Sequence, residues 1–105
     1  MGADIINLSW GFDLDSLDAT GQAEVAIIRD AINHAVSQGV IVVASAGNSG
    51  GPALRFPASM ANTIAVGSSN WLDRRSGFST IAAVGERRVG GTPVLVWWCL
   101  VYDRK

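Results

Sequence analysis

A chain of 105 residues carrying 8 Lys and Arg against 9 Asp and Glu is long enough for one small domain and too evenly charged to define a polyanionic partner. Adjacent basic pairs such as Arg74-Arg75 and Arg87-Arg88 are too short for a phosphate-tracking stripe, which argues against nucleic-acid binding. The single Cys99 excludes an internal disulfide and leaves the compartment open. The longest apolar run, residues 94–102, falls well short of the roughly 20 residues that cross a bilayer, and no basic leader follows Met1. A water-soluble chain with no membrane partner and no visible signal peptide is therefore expected.

In chain order, residues 3–9 read as a short strand through Ile5, Ile6 and Leu8, ended by Trp10-Gly11. Asp13, Asp15 and Asp18 follow in an acidic loop, with Glu24 at the twelfth position of an EF-hand-like count. That match fails, because Leu17 stands where an oxygen ligand is needed, Asp18 where a Gly is needed, and a strand precedes it instead of a helix. The expectation is a solvated acidic loop and no metal.

A helix is expected to open at Thr20 as N-cap, with Glu24 in its first turn, where a carboxylate favours the positive end of the dipole. Val25, Ile28, Ile32, Ala35 and Val36 recur at helical spacing as one buried stripe, and Gly39 closes the helix. The lone His34 lies four residues after Asp30 on this helix, so a surface Asp–His pair accounts for it without a catalytic role.

Residues 40–43, V-I-V-V, have the composition of a strand buried on both faces, and they break at once into Gly47-Asn48-Ser49-Gly50-Gly51. With the first strand and the helix they predict a βαβ unit with parallel strands and a right-handed crossover. A loop over residues 50–57 then leads to a third strand at residues 63–67. The fold class is α/β.

In parallel α/β sheets, ligands bind beyond the carboxyl ends of the strands, so Asn48 stands where chemistry is usually found. Its amide has two N–H donors and cannot take a proton at neutral pH, which suits it to hold a developing oxyanion. Read alone, it is equally an Asn tolerating a left-handed turn between glycines. A dinucleotide loop is the competing use of a glycine-rich turn. The order Gly47-x-x-Gly50-Gly51-Pro52 departs from G-x-G-x-x-G and no helix opens from it, so no cofactor is expected.

The segment G-V-I-V-V-A-S-A-G-N-S-G closely resembles the oxyanion-hole block of subtilisin-like serine peptidases. Upstream, G-A-D-I-I-N-L-S-W-G is similar to that family's strand leading into its substrate-binding segment. Downstream, F-P-A-S, N-T-I-A-V-G-S and G-F-S are similar to its next loop, strand and turn. Several ordered blocks at compatible spacing are far more specific than any one motif. The resemblance implies a partial subtilisin-like three-layer fold and an oxyanion donor at Asn48. It also implies a backbone edge at Ser9, Trp10 and Gly11 that pairs with a peptide or protein substrate. The primary specificity pocket would be lined by Ser45, Ala46, Gly47 and the region of Ala58. Trp10, taken alone, reads equally as a core or surface aromatic.

The resemblance fades after Ser79. Residues 81–86 are a shortened echo of the family's Ala-Pro-Gly turn, and Pro93 stands where Gly91-Thr92 would lead to the nucleophilic Ser. Residues 1–86 are thus expected to form a partial peptidase domain and residues 87–105 a divergent tail. By resemblance, the catalytic Asp and His belong to blocks before Met1 and the Ser to a block beyond Lys105, so the missing parts of the peptidase domain are the implied partners. The chain alone is expected to be inactive, the alternative being a non-catalytic peptide-binding or structural α/β module. An extracellular parent family is implied, and with one convincing helix, one sheet face is expected to stay exposed.

Overall fold

The computed structural model describes residues 2–68, 70–72 and 74–80 in full, and residues 88–89 and 92–93 by their backbone. The echo at residues 81–86 and the apolar run at residues 94–102, with Cys99, lie outside the described residues.

Three parallel strands, β1 (Ile5–Leu8), β2 (Ile41–Ser45) and β3 (Ile64–Val66), form one sheet in that spatial order. Helix α1 (Ala19–Ser37) connects β1 to β2, as the expected βαβ unit requires. In register, Ile6 pairs with Val42 and Leu8 with Ala44, so these side chains share a face. That face packs on α1 through Val25 and Ile32, with Ile28, Ala35 and Val36 beside them. The helical stripe read from spacing is therefore the core-facing one. Arg88–Val89 and Thr92–Pro93 pair antiparallel as β4 and β5.

The helix begins earlier than Thr20. Asp18 is the N-cap, its carboxylate accepting from the Gly21 amide at 2.8 Å, and Thr20 lies inside the first turn. Asp13 likewise accepts from the Asp15 amide at 3.2 Å and starts a 3-10 turn at Leu14–Ser16. Two of the three loop carboxylates thus satisfy backbone donors that a helix start leaves unpaired. Among the described residues no group of three or more His, Cys, Asp or Glu is placed to hold a metal ion, and no helix is long and apolar enough to cross a membrane. At the other end, Gly39 has φ +86°, the left-handed conformation that favours glycine just past a helix.

The opposite sheet face corrects the reading of residues 40–43 as buried on both faces and agrees with the expectation that one sheet face stays exposed. β2 is buried on one side only: Val42 is 2 % exposed, whereas Ile41 is 49 % exposed and its register partner Ile5 61 %. Parallel strands bury both faces only where helices cover both, and among the described residues α1 is the one α-helix.

Beyond β1 the chain is pinned by a two-bond antiparallel bridge. Phe12 N donates to Phe56 O and Phe56 N to Phe12 O, each at 3.1 Å. The Phe12 and Phe56 rings meet at 5.5 Å between centroids, Trp10 stacks on Phe12 at 5.9 Å, and the Arg29 guanidinium lies 5.8 Å from the Phe56 ring centroid. Phe56 is 1 % exposed and joins the main core, a burial worth about 1.5–3 kcal/mol.

Candidate active site

β2 ends at Ser45, and the chain leaves the sheet with one last ladder bond, Ala46 N donating to Val66 O at 2.9 Å. Gly47 then takes φ +107° and Gly50 φ +68°, backbone that L side chains rarely adopt. Between these two turns Asn48 is exposed, at the carboxyl end of the central parallel strand. Among the described residues no hydrogen bond occupies its amide, so both N–H donors are available to a ligand.

The loop around Asn48 is held from behind by a segment far away in sequence. Thr80 N donates to Gly47 O at 3.0 Å and Gly50 N to Phe78 O at 2.9 Å. Ser49 N donates to Thr80 Oγ1 at 3.4 Å, and the Ser49 and Thr80 hydroxyls are 3.1 Å apart. Residues 76–80 are themselves tied to the end of β3. Ser68 N donates to Ser79 Oγ at 2.9 Å, the Ser68 and Ser76 hydroxyls lie 2.8 Å apart, and Arg75 donates to Ser79 O at 2.8 Å. Ser68, Ser76, Ser79 and Thr80 are all buried, so this network works where water competes little.

The second wall comes from residues 55–60, a compact turn in which Ser59 N donates to Arg55 O at 2.9 Å and Met60 N to Pro57 O at 3.0 Å. The Phe56–Pro57 peptide bond is cis. Gly11 runs directly against this turn: a Cβ built at Gly11 would lie 2.9 Å from Phe56 O and 3.4 Å from Arg55 Cβ. A Cβ at Gly47 would meet Thr80 Oγ1 at 3.0 Å and the Arg55 Cγ and Cδ at 3.3 Å. Gly11, Arg55 and Gly47 are therefore neighbours, and the segments at residues 9–11, 45–48 and 55–58 converge.

Each candidate contributes differently. Ser9 is exposed and its Oγ accepts from Asn7 at 2.9 Å. Trp10 is 40 % exposed and laid flat on Phe12, which makes it a surface platform and not a core aromatic. Ser45 and Gly47 are half-buried. Ala46 and Ala58, at 1 % and 0 % exposure, sit within the packing, so they back the wall. His34 is exposed in the last turn of α1 and shares none of the contacts of this site.

Reasoning from sequence missed Arg55 and Thr80. Arg55 lies just outside the F-P-A-S block and was passed over, and Thr80 reads as one more small polar residue in a turn. Their roles arise from contacts between segments distant in the chain, which periodicity does not carry.

The comparisons with known proteins agree on one family. The sequence model of the Subtilase family matches residues 1–99, and the chain belongs to that family of peptidases. It is 37% identical to Subtilisin BL of Lederbergia lenta over 73 residues, 70% of this chain and 27% of the relative. It is 39% identical to Thermitase of Thermoactinomyces vulgaris over 83 residues, 79% of this chain and 26% of the relative. Among solved structures it superposes on the self-cleaved protease domain of PatA with a TM-score of 0.64 at 28% identity, covering 82% of this chain and 31% of that one. On the prenylagaramide maturation protease PagA the TM-score is 0.60 at 31% identity, covering 75% of this chain and 27% of that one. The chain thus spans about a quarter of the length of these two curated relatives.

Proposed function

We propose that this chain is the central segment of a subtilisin-like serine endopeptidase, in which Asn48 is the oxyanion donor. Ser9, Trp10 and Gly11 form the backbone edge that receives an extended peptide. Ser45, Ala46 and Gly47, backed by Ala58, form the wall of the primary specificity pocket. The observation that carries this reading is the exposed amide of Asn48, without a hydrogen bond among the described residues, between two left-handed glycines at the end of the central parallel strand. A donor so placed stabilises negative charge that appears on a carbonyl oxygen only as a tetrahedral intermediate forms.

Residues 1–105 hold one histidine, on the far end of α1, and no Ser in a Gly-Thr-Ser sequence. A hydroxyl nucleophile needs an imidazole within hydrogen-bond reach, so the segment by itself supplies binding and oxyanion stabilisation without the attacking group. Peptide substrates and the remaining parts of the peptidase domain are its partners.

The test is two-part. The chain is mixed with a serine-directed fluorophosphonate and with an extended N-acetylated peptide amide, and backbone and side-chain amide NMR shifts are followed. No covalent labelling is expected, with peptide-induced shifts concentrated at residues 9–11, 45–48 and 55–58. Covalent labelling, or shifts scattered over α1 and the open sheet face, would overturn the assignment.

A further inference from the structure

The aliphatic stem of Arg55 lies between two segments that reach the cleft from different parts of the chain. Its Cβ is 3.4 Å from a Cβ built at Gly11, and its Cγ and Cδ are 3.3 Å from one built at Gly47. Both positions leave that space to the stem because they are glycine. The Cγ and Cδ thus reach Gly47, and the guanidinium follows two bonds beyond Cδ. Arg55 is exposed, and among the described residues it makes no ion pair and its side chain no hydrogen bond. Two other arginines contrast with it: Arg75 is spent on the carbonyls of Ser76 and Ser79, and Arg29 on the Phe56 ring.

We infer that Arg55 is a specificity-determining residue, selecting peptides that present an Asp or Glu side chain beside Gly47. This rests on the reading of residues 9–11 and 45–48 as the peptide cleft. Ser45, Ala46 and Gly47 bring no charge of their own, so the fork of donors on Arg55 is the cation that a carboxylate meets there. Guanidinium matches carboxylate in a planar, two-bond geometry that an ammonium does not reproduce. A neutral or basic side chain in the same place gains no such bond.

The experiment titrates the chain with N-acetylated tetrapeptide amides identical except for a C-terminal Glu, Gln or Lys, so that the Glu side chain holds the one carboxylate. Wild type, Arg55→Gln and Arg55→Lys are compared by amide NMR shifts at low salt and at about 0.5 M salt. Glu is expected to bind about 2- to 5-fold more tightly than Gln in the wild type, the range of a solvent-exposed charge pair, and Lys least. The preference shrinks at high salt, disappears in Arg55→Gln and survives in weakened form in Arg55→Lys. A Glu-to-Gln ratio near one in the wild type, or one unchanged by Arg55→Gln or by salt, overturns the role of Arg55 while leaving the cleft in place. Failure of every tetrapeptide to bind overturns the cleft and this inference together.

Discussion

Ser49 and Thr80 meet through both backbone and side chain: the Ser49 amide donates to Thr80 Oγ1 at 3.4 Å, and the two hydroxyls are 3.1 Å apart. Thr80, 4 % exposed, thereby fixes the residue next to Asn48. Thr80→Val keeps the shape and removes the hydroxyl. Losing these bonds is expected to cost about 1 kcal/mol locally, read as roughly fivefold faster hydrogen exchange at the Ser49 amide. An unchanged Ser49 rate would mean that the loop is held by the Thr80 N to Gly47 O and Gly50 N to Phe78 O bonds alone.

Glycine is required unequally at two positions with positive φ. At Gly39, φ is +86° and a Cβ meets nothing within 4 Å, so Gly39→Ala costs only the left-handed backbone, about 1 kcal/mol. At Gly47, φ is +107° and the Cβ would sit 3.0 Å from Thr80 Oγ1 and 3.3 Å from Arg55. Gly47→Ala is expected to destabilise by about 2–4 kcal/mol, backbone strain and crowding together. Urea denaturation of the two variants side by side checks the order.

The N-cap gives a third expectation. Asp18→Ala removes the acceptor of the Gly21 amide and is expected to lower stability by about 1 kcal/mol, while Asp18→Asn, also a good cap, changes it little. Thr20→Ala, the variant suggested by the sequence reading, is expected to have no capping effect. The midpoint of loss of helical circular dichroism in urea separates the three.

Phe56 joins the main core to the Phe12 bridge. Phe56→Ala is expected to cost about 3–5 kcal/mol, comparable to the whole stability of a small domain, so the chain should lose its cooperative transition. Phe56→Leu is expected to retain it with a lower midpoint.

The open sheet face behaves oppositely. Ile5 and Ile41 are register partners that remain largely in water, so replacing both with Thr removes little buried area. A change within about 0.5 kcal/mol is expected, with weaker concentration-dependent association in sedimentation.

The parallel βαβ unit was legible because its signals are local: a β-branched run, a 3.6-period stripe and a glycine one step past the helix. The helix start was misplaced because Asp18 and Thr20 both make good caps, and only the position of the first helical backbone decides between them. Burial of both faces of β2 was read from composition, which records what a strand tolerates and not what covers it. Asn48 was singled out by its place after a strand and by resemblance, and its exposure at the end of β2 is what the structure adds. Arg55 and Thr80 were not singled out, since each acts on a segment that chain order leaves far from it.

The reciprocal amide bonds between Phe12 and Phe56 rivet the edge after β1 to the turn before β3. Neither can swing away while both bonds hold, so the segment after β1 and the turn at residues 55–60 must shift together, as one body, in any motion that leaves the bridge intact.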